Sequence, residues 1–417
     1  MHGDMAEKKG EEPRSVRELL TEMKNTSDWM MDLARASLLF ENRELAEKVR
    51  ELEIRMDGLM YEIRTMAVLA ARNAEEARKI AGVLQIASAA EAISNSTGDM
   101  VDLVLRGMEI HPSVKKALLL CEEKIQQVKV MEGSAMLHKK LEELELPSRI
   151  GVRILALKRE KDWLVPPHPD TELREGDLLV ARGPEGGLSV FLRLTGSKRV
   201  QEGKGEKPTR LELWLARMYD LSSMMVDLAY SSLLLTSKEL GEEVRRLEKE
   251  FDDFNYHMWL ETLKTSREEQ DLRRLNSLLQ VVKCLEKISD AADTIADVVL
   301  RGEKLHPVFA EALSKADEQV ARIRVEEGSR LEGKNLKQLN LETSVGVNVM
   351  VIERKRKYFF EPGMKRKLKT GDWLVVRGTY RALKKFAEMC QPEKREIIAP
   401  GQEAPPAPAP ASEPQAS

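Results

Sequence analysis

Carboxylates spaced four residues apart are the most chemically suggestive side chains in this sequence. Glu53-Ile-Arg-Met-Asp57, Glu248-Lys-Glu-Phe-Asp252 and Glu286-Lys-Ile-Ser-Asp290 each place two acids at i and i+4, while Glu91-Ala-Ile-Ser-Asn95 carries an amide in the second place. On a helix such a pair shares one face, with about 5–6 Å between its β-carbons. Hard cations, iron and manganese favour these oxygen donors, and facing pairs from neighbouring helices complete a site. The plainer alternative is a set of solvated surface acids, in a chain with 70 Asp and Glu. Asp32 and Asp227 hold equivalent places on earlier helices and are expected to meet nearby basic side chains.

Other reactive residue types read as structural. His111 and His306 each precede a proline at a helix end, where C-terminal carbonyls favour a cation. Cys121 and Cys284 fall on apolar helical stripes, and Trp163 and Trp373 lie in or beside strands, so all four are expected to pack. The three cysteines, with Cys390, stand far apart without a CxxC pair, which argues against a disulfide framework or a structural zinc site. There is no GxGxxG, no GxxxxGK[ST], no HExxH and no nucleophile–His–acid set, so an enzyme is not expected.

The elements that must carry these residues are mostly helices. Leu45, Val49, Leu52, Met56, Leu59, Ile63 and Met66 advance by alternating steps of four and three, as on a coiled-coil seam. Leu240, Val244, Leu247, Phe251, Phe254 and Met258 repeat the stripe. The pattern predicts helices from about Val16 to Phe40 and Ala74 to Met108 on either side, with Asn42 and Ser237 capping the middle helices. Three long helices with short connections make an antiparallel bundle. His111-Pro112 and His306-Pro307 break the third helix, and a further helix is expected to run to about Val128 or Ile323. The period then changes. Gly151–Leu157, Gly346–Ile352, Asp177–Ala181 and Asp372–Val376 read as short strands, the last two entered through Gly-Asp turns. Helices Gly187–Leu194 and Tyr380–Met389 close each unit.

The chain states this pattern twice. LVLRGMEIHP at 103–112 returns as VVLRGEKLHP at 298–307, and REGDLLVARG around Gly176 returns as KTGDWLVVRG around Gly371. Glu53 and Glu248, Gly133 and Gly328, and Gly176 and Gly371 are all 195 residues apart, a gapless register that marks a duplication. The expected layout is a disordered start (1–14), a helical bundle (15–126), a small α+β lobe (127–195), a Gly/Lys-rich linker (196–208), a second bundle (209–321), a second lobe (322–391) and a Pro/Ala-rich disordered tail (392–417). The 417 residues are 42% hydrophobic, 33% charged and 5% aromatic, with Lys+Arg 67 against Asp+Glu 70. A net charge of -3 gives no basic excess for nucleic acid. Neither a secretory signal nor a stretch of about 18 apolar residues is visible, so a soluble cytoplasmic protein without membrane insertion is expected.

On these residues the helical portions resemble PhoU-type three-helix units, a family linked to phosphate homeostasis and metal-cluster binding. The family's acidic ExxxD marks correspond here to Glu53 and Asp57, Glu248 and Asp252, and Glu286 and Asp290, with Glu91 before Asn95. The resemblance implies a divalent metal (iron, zinc, manganese or magnesium) at Glu248, Asp252, Glu286 and Asp290, and a weaker counterpart at Glu53, Asp57 and Glu91. The α+β portions resemble the TrkA-C module, the C-terminal lobe of K⁺-conductance regulators. That likeness rests on EEGSRLEGKNL at 326–336, GVNVMVI at 346–352 and PPHPDTELREGDLLVARG at 166–183. It implies an effector such as a cyclic dinucleotide between two paired lobes, near the loops 144–151 and 339–346, with Arg149 toward a phosphate and Asn348 toward a base or sugar. The two resemblances together imply an α+β multidomain protein in which two all-α bundles alternate with two small α+β lobes. They imply a homodimeric regulatory subunit of cation transport, with potassium first, whose lobes pair with each other or with another chain and which acts on a separately encoded membrane transporter or channel. The alternative is a metal-binding adaptor in phosphate transport or signalling.

Overall fold

A computed structural model of the chain describes residues 14–70, 73–197, 207–265, 271–302 and 307–392. Residues 1–13 and 393–417 of the segments expected to be disordered, the body of the linker and His306 lie outside these residues. In the first half the elements run α1 (Val16–Phe40), α2 (Arg43–Ala70), α3 (Ala74–Leu105), α4 (Pro112–Leu120), β1 (Lys124–Lys129), α5 (Leu141–Leu144), α6 (Leu146–Ile150), β2 (Arg153–Arg159), β3 (Asp162–Leu164), β4 (Leu178–Gly183) and α7 (Glu185–Thr195). The second half repeats them as α8 (Arg210–Leu235), α9 (Lys238–Thr265), α10 (Leu272–Leu300), α11 (Val308–Leu313), β5 (Gln319–Arg324), α12 (Leu336–Leu339), α13 (Leu341–Ser344), β6 (Val347–Arg354), β7 (Lys357–Phe360), β8 (Trp373–Gly378) and α14 (Tyr380–Cys390).

Helix starts are fixed by side-chain caps. Ser15 with Glu18, and Thr209 with Glu212, form reciprocal capping boxes at α1 and α8. Asn42 and Ser237 accept the Leu45 and Leu240 N–H groups, as the sequence predicts for the middle helices. His111 corrects its expected place at a helix C-terminus. It caps the start of α4, accepting the Ser113 N–H at 3.2 Å through Nδ1, while its own N–H donates to Ser277 Oγ on α10. Pro112 at the first helical position needs no N–H partner, which is why the helix restarts there.

Each lobe is a four-stranded antiparallel sheet, ordered β1-β4-β2-β3 and β5-β8-β6-β7. The first strands β1 and β5 stand where the sequence predicts the tail of a helix, and β3 and β7 add an outer hairpin strand that the sequence reading lacks. The Gly-Asp turns are as expected. Gly176 takes φ +85°, and the buried Asp177 carboxylate accepts from the Arg159 guanidinium and the Arg174 N–H at 2.7–2.9 Å. Asp372 does the same with Arg354 and the Lys369 N–H.

The bundles are not separate. One continuous apolar core joins α1–α4 to α8–α11 and reaches the inner faces of both sheets at Leu155, Val180, Met350 and Val375. Packing α3 on α10 makes the main seam, and the short helices cross over, α4 onto α8 and α11 onto α1. The outer sheet faces hold separate lobe cores, centred on Phe191 and Phe386. Cys121 and Cys284 are buried in the shared core, and Trp163 packs there while donating to Glu44.

Candidate functional site

The two lobes pair with each other within one chain. Gly151 of the first lobe has φ +68°, and a β-carbon there would overlap the carbonyl oxygen of Glu342; Gly346 has φ +74°, and its β-carbon would overlap that of Pro147. Gly346 is the repeat of Gly151, and Glu342 the repeat of Pro147. The contact is therefore isologous, each partner presenting the same patch, as across a two-fold axis. Arg381 closes the rim by pairing with Glu145.

On this internal axis lies a buried charge network whose members again come in repeat pairs. Arg182, at the end of β4, binds the Asp32 carboxylate of α1 at 2.8 and 3.0 Å and reaches Glu318 at 3.0 Å and Glu123 at 3.5 Å. Arg377, at the end of β8, pairs with Asp227 of α8, with Glu123 at 3.2 Å and with Glu318 at 3.8 Å. Asp32 is 3% exposed and Arg182 8%. Burial raises carboxyl pKa values, but the two guanidiniums hold Glu318 well below the usual carboxylate range, and Glu123 below it too. Asp32 and Asp227 thus meet basic side chains, as their sequence positions suggest, but the partners are 150 residues away and belong to the lobes.

Repeat pairs that differ sit beside the axis. On the first-copy side Trp29 is buried under the Arg153 guanidinium, 4.1 Å from its ring centre, and both contact Asp317. A surface groove of about 490 Å³ ends at this stack and reaches neither Asp32 nor Arg182. On the second-copy side Met224 replaces Trp29, Asn348 replaces Arg153, and Glu122 replaces Asp317. A cavity of about 320 Å³ opens there between α8, the second lobe and Glu122–Glu123, and reaches Asp227 and Arg377. A smaller crevice of about 50 Å³ lies between the lobes on the axis itself. Asn348 lines both spaces, whereas Arg149 is exposed at the end of α6 and lines neither. The arginines that do reach these spaces are Arg35, Arg153, Arg182 and Arg377.

Three groups on the open side stand out. Asp220 accepts the Glu122 N–H at 3.1 Å, and burial pushes its carboxyl up to about 6. Glu342 has no basic side chain paired with it among the described residues; burial and the nearby Glu123 and Glu122 push it up to about 7. Arg35 is 5% exposed, donates Nη2 to the Glu123 carbonyl at 3.2 Å, and leaves Nε with no acceptor.

The acidic pairs also separate the copies. In the first bundle Arg50 sits on Glu53 and Asp102, Arg64 binds Glu91 at 3.2 Å, Asp57 is exposed, and Glu53 fills the space beside Gly98. Those residues do not fit a cation. In the second bundle Asp290 stands for Asn95, Asp293 for Gly98 and Trp259 for Arg64, while Arg245 leans to Asp297 at 2.9 Å and Asp293 at 3.5 Å. No basic side chain among the described residues pairs with Glu248, Asp252, Glu286 or Asp290. Burial raises Glu248, Glu286 and Asp290, and neighbouring acids raise them further. Their donor type and charge fit a cation, although no three of the described carboxylates converge on one point.

Comparison with known proteins agrees with this architecture. The PhoU domain model matches residues 20–104 and 215–299, and the TrkA-C domain model matches 125–196 and 320–391. The chain therefore belongs to the proteins built of PhoU and TrkA-C domains, and it carries each domain twice in alternation. Among solved structures, PhoU from Pseudomonas aeruginosa is 16% identical over 69% of this chain and 96% of its own, with a TM-score of 0.41. The GsuK RCK domain is 16% identical over 64% of this chain and 63% of its own, with a TM-score of 0.17. The GsuK channel bound to NAD is 14% identical over 73% and 65%, with a TM-score of 0.18. No curated protein matches the chain. Among the described residues, no helix is long and apolar enough to cross a membrane.

Proposed function

We propose that this chain is a ligand-sensing regulatory subunit of cation transport, potassium first, acting at the cytoplasmic face on a separately encoded membrane protein. The observation that carries the reading is the gearing of lobes to bundles. Arg182 and Arg377 leave the lobe sheets and end on Asp32 and Asp227 of the helices, so a change in the angle between lobes must move charge inside the bundles. The site's work in this reading is binding, not turnover, and cyclic dinucleotides and adenine nucleotides are the first probes for the lobe pair. Rubidium and phosphate uptake, measured side by side in cells lacking the gene and in cells complemented with it, test the reading. An altered rubidium rate with unchanged phosphate uptake is expected; the opposite pattern overturns it.

A second reading, a metal-binding adaptor for phosphate transport, has one observation in its favour: the second bundle's carboxylates lack basic partners while their first-copy counterparts have them. Metal analysis of purified protein decides it. Stoichiometric iron, zinc, manganese or magnesium, lost in Glu248→Gln plus Asp290→Asn but kept in Glu53→Gln, favours the adaptor.

A further inference from the structure

Helix α2 carries a second stripe of residues on the side turned away from the core. Ile54, Gly58, Tyr61, Thr65 and Val68 advance by four and three alternately, the spacing of a coiled-coil seam. They lie opposite the inward stripe that runs from Leu45 to Met66. Ile54 is 72% exposed, Tyr61 74% and Val68 79%. Single exposed apolar residues are ordinary, but three in heptad register on one helix face form a surface for another helix. Gly58 points the same way. A glycine inside a helix is costly beside alanine. Apart from its own helix, nothing among the described residues comes within 4 Å of where its β-carbon would stand, so no internal packing requires it. In the second copy Lys249 and Asp253 replace Ile54 and Gly58, which breaks the stripe on α9.

We infer that this face of α2 docks on the same face of a second copy of the chain, the two helices antiparallel about a two-fold axis between Gly58 and Tyr61. The lobes already pair within one chain, so association of two chains falls to another face. In this register Tyr61 stands against Gly58 of the second copy and Ile54 against Thr65, large residues meeting small ones. Val68 reaches the rim beside Glu51, whose carboxylate Lys48 already holds at 2.7 Å. The flanking charges decide the direction. Antiparallel helices bring Arg55 toward Glu62 of the second copy and Asp57 toward Arg64, both attractive pairs. Parallel helices would bring Asp57 toward Glu62 and Arg50 toward Arg55, both like charges. Arg55, Glu62 and Arg64 also hold Glu22, Arg14 and Glu91 within the chain, but all three side chains remain exposed and can take a further partner. Such exposed pairs set orientation, and the apolar seam supplies the affinity. From Glu51 to Val68 the seam is about 26 Å long at 1.5 Å per residue, small beside permanent interfaces, so the dimer is a reversible one of micromolar order. The inference goes beyond the regulatory reading and does not rest on it.

Sedimentation velocity of the full chain, loaded at about 1 to 100 µM, reads the association directly. The mass is expected to climb from one chain to two and to stop there. Ile54→Lys with Gly58→Asp copies the residues that α9 carries at these positions. It should weaken the dimer about ten-fold or more, with the melting temperature within a few degrees of the parent's. Asp57→Arg, at an exposed position, should weaken it several-fold by facing Arg64, and adding Arg64→Asp should restore it. That charge pair decides the matter if the first variant does not fold. The inference is overturned if the mass stays at one chain throughout, or if a folded Ile54→Lys, Gly58→Asp variant associates like the parent. Growth past two chains would mean a head-to-tail contact between unlike patches and would overturn it as well. Tighter association in Asp57→Arg would replace the antiparallel register with a parallel one. Chains that stay single yet sediment with vesicles of phosphatidylcholine and phosphatidylglycerol would assign the face to a lipid surface instead.

Discussion

The two sides of the internal axis are built from the same 195-residue plan, yet the chemistry at their centres diverges. On the axis the repeats agree: Asp32 and Asp227, Glu123 and Glu318, and Arg182 and Arg377 form one network with two-fold logic. One shell out they disagree. Trp29, Arg153 and Asn25 face Met224, Asn348 and Asp220 across the axis. The bundles show the same division, with arginines on Glu53 and Glu91 and, among the described residues, none on Glu248 and Glu286. Symmetry is kept in the buried ion network and lost in the shell of side chains around it.

The comparison can be broken most severely on the axis. Removing one partner of a buried ion network leaves uncompensated charge, at a cost of about 3–5 kcal/mol. Arg377→Met and Arg182→Met are therefore expected to lower the urea midpoint by similar, large amounts. A large loss from one and none from the other would mean that the network does not have two-fold character.

A smaller effect separates the sides by pH. Glu342, near Glu123, Glu122 and Arg377, and Asp220, near Arg35, Glu122 and Glu123, have pKa values raised to about 7 and about 6. A carboxyl with a raised folded-state pKa contributes stability that is full below its ordinary value and lost as pH climbs through the raised one. Stability should thus fall by up to roughly 4 kcal/mol between pH 5 and pH 8, at about 1.4 kcal/mol per pH unit for each carboxyl still protonated in the folded state. Their first-copy counterparts, Pro147 and Asn25, do not titrate. Glu342→Gln with Asp220→Asn should shrink the fall across that window, leaving the part due to Asp227, whose carboxyl is pushed up to about 6 by burial. Glu318 is held low, and its contribution is lost only when the pH falls below the ordinary carboxylate range, outside the window. The smallest effect is expected for Arg153→Asn. It loses the stack on Trp29 and the pair with Asp317, and should cost about 1 kcal/mol in thermal unfolding.

Much of the fold was legible because helices and duplications leave periodic traces. The seam from Leu45 to Met66 and the 195-residue register led to the bundles, and the glycine-marked strands led to the lobes. Strands β1 and β5 were hidden because KIQQVK and QVARIR are polar and half-exposed, follow a helix, and gain their order only by pairing with β4 and β8. The axis network was hidden for a different reason. Arg182 ends a run that reads as an apolar strand, and its partners are 150 and 136 residues away. One signal was nevertheless present, namely that Asp, Glu and Arg recur at all three repeat-related positions amid neighbours that changed. Arg149 attracted notice as a loop cation, but α6 turns it to solvent, and only packing could reveal that.

Pairing of the lobes inside one chain underlies the gearing and the broken symmetry. It is tested by placing cysteines at Glu145 and Arg381, which pair across the lobe contact, in a protein whose three native cysteines are buried. A short bismaleimide should yield a monomer carrying one internal link, identified by mass spectrometry and formed in the same yield at every protein concentration. Links that join two chains, with a yield that climbs with concentration, would contradict the account.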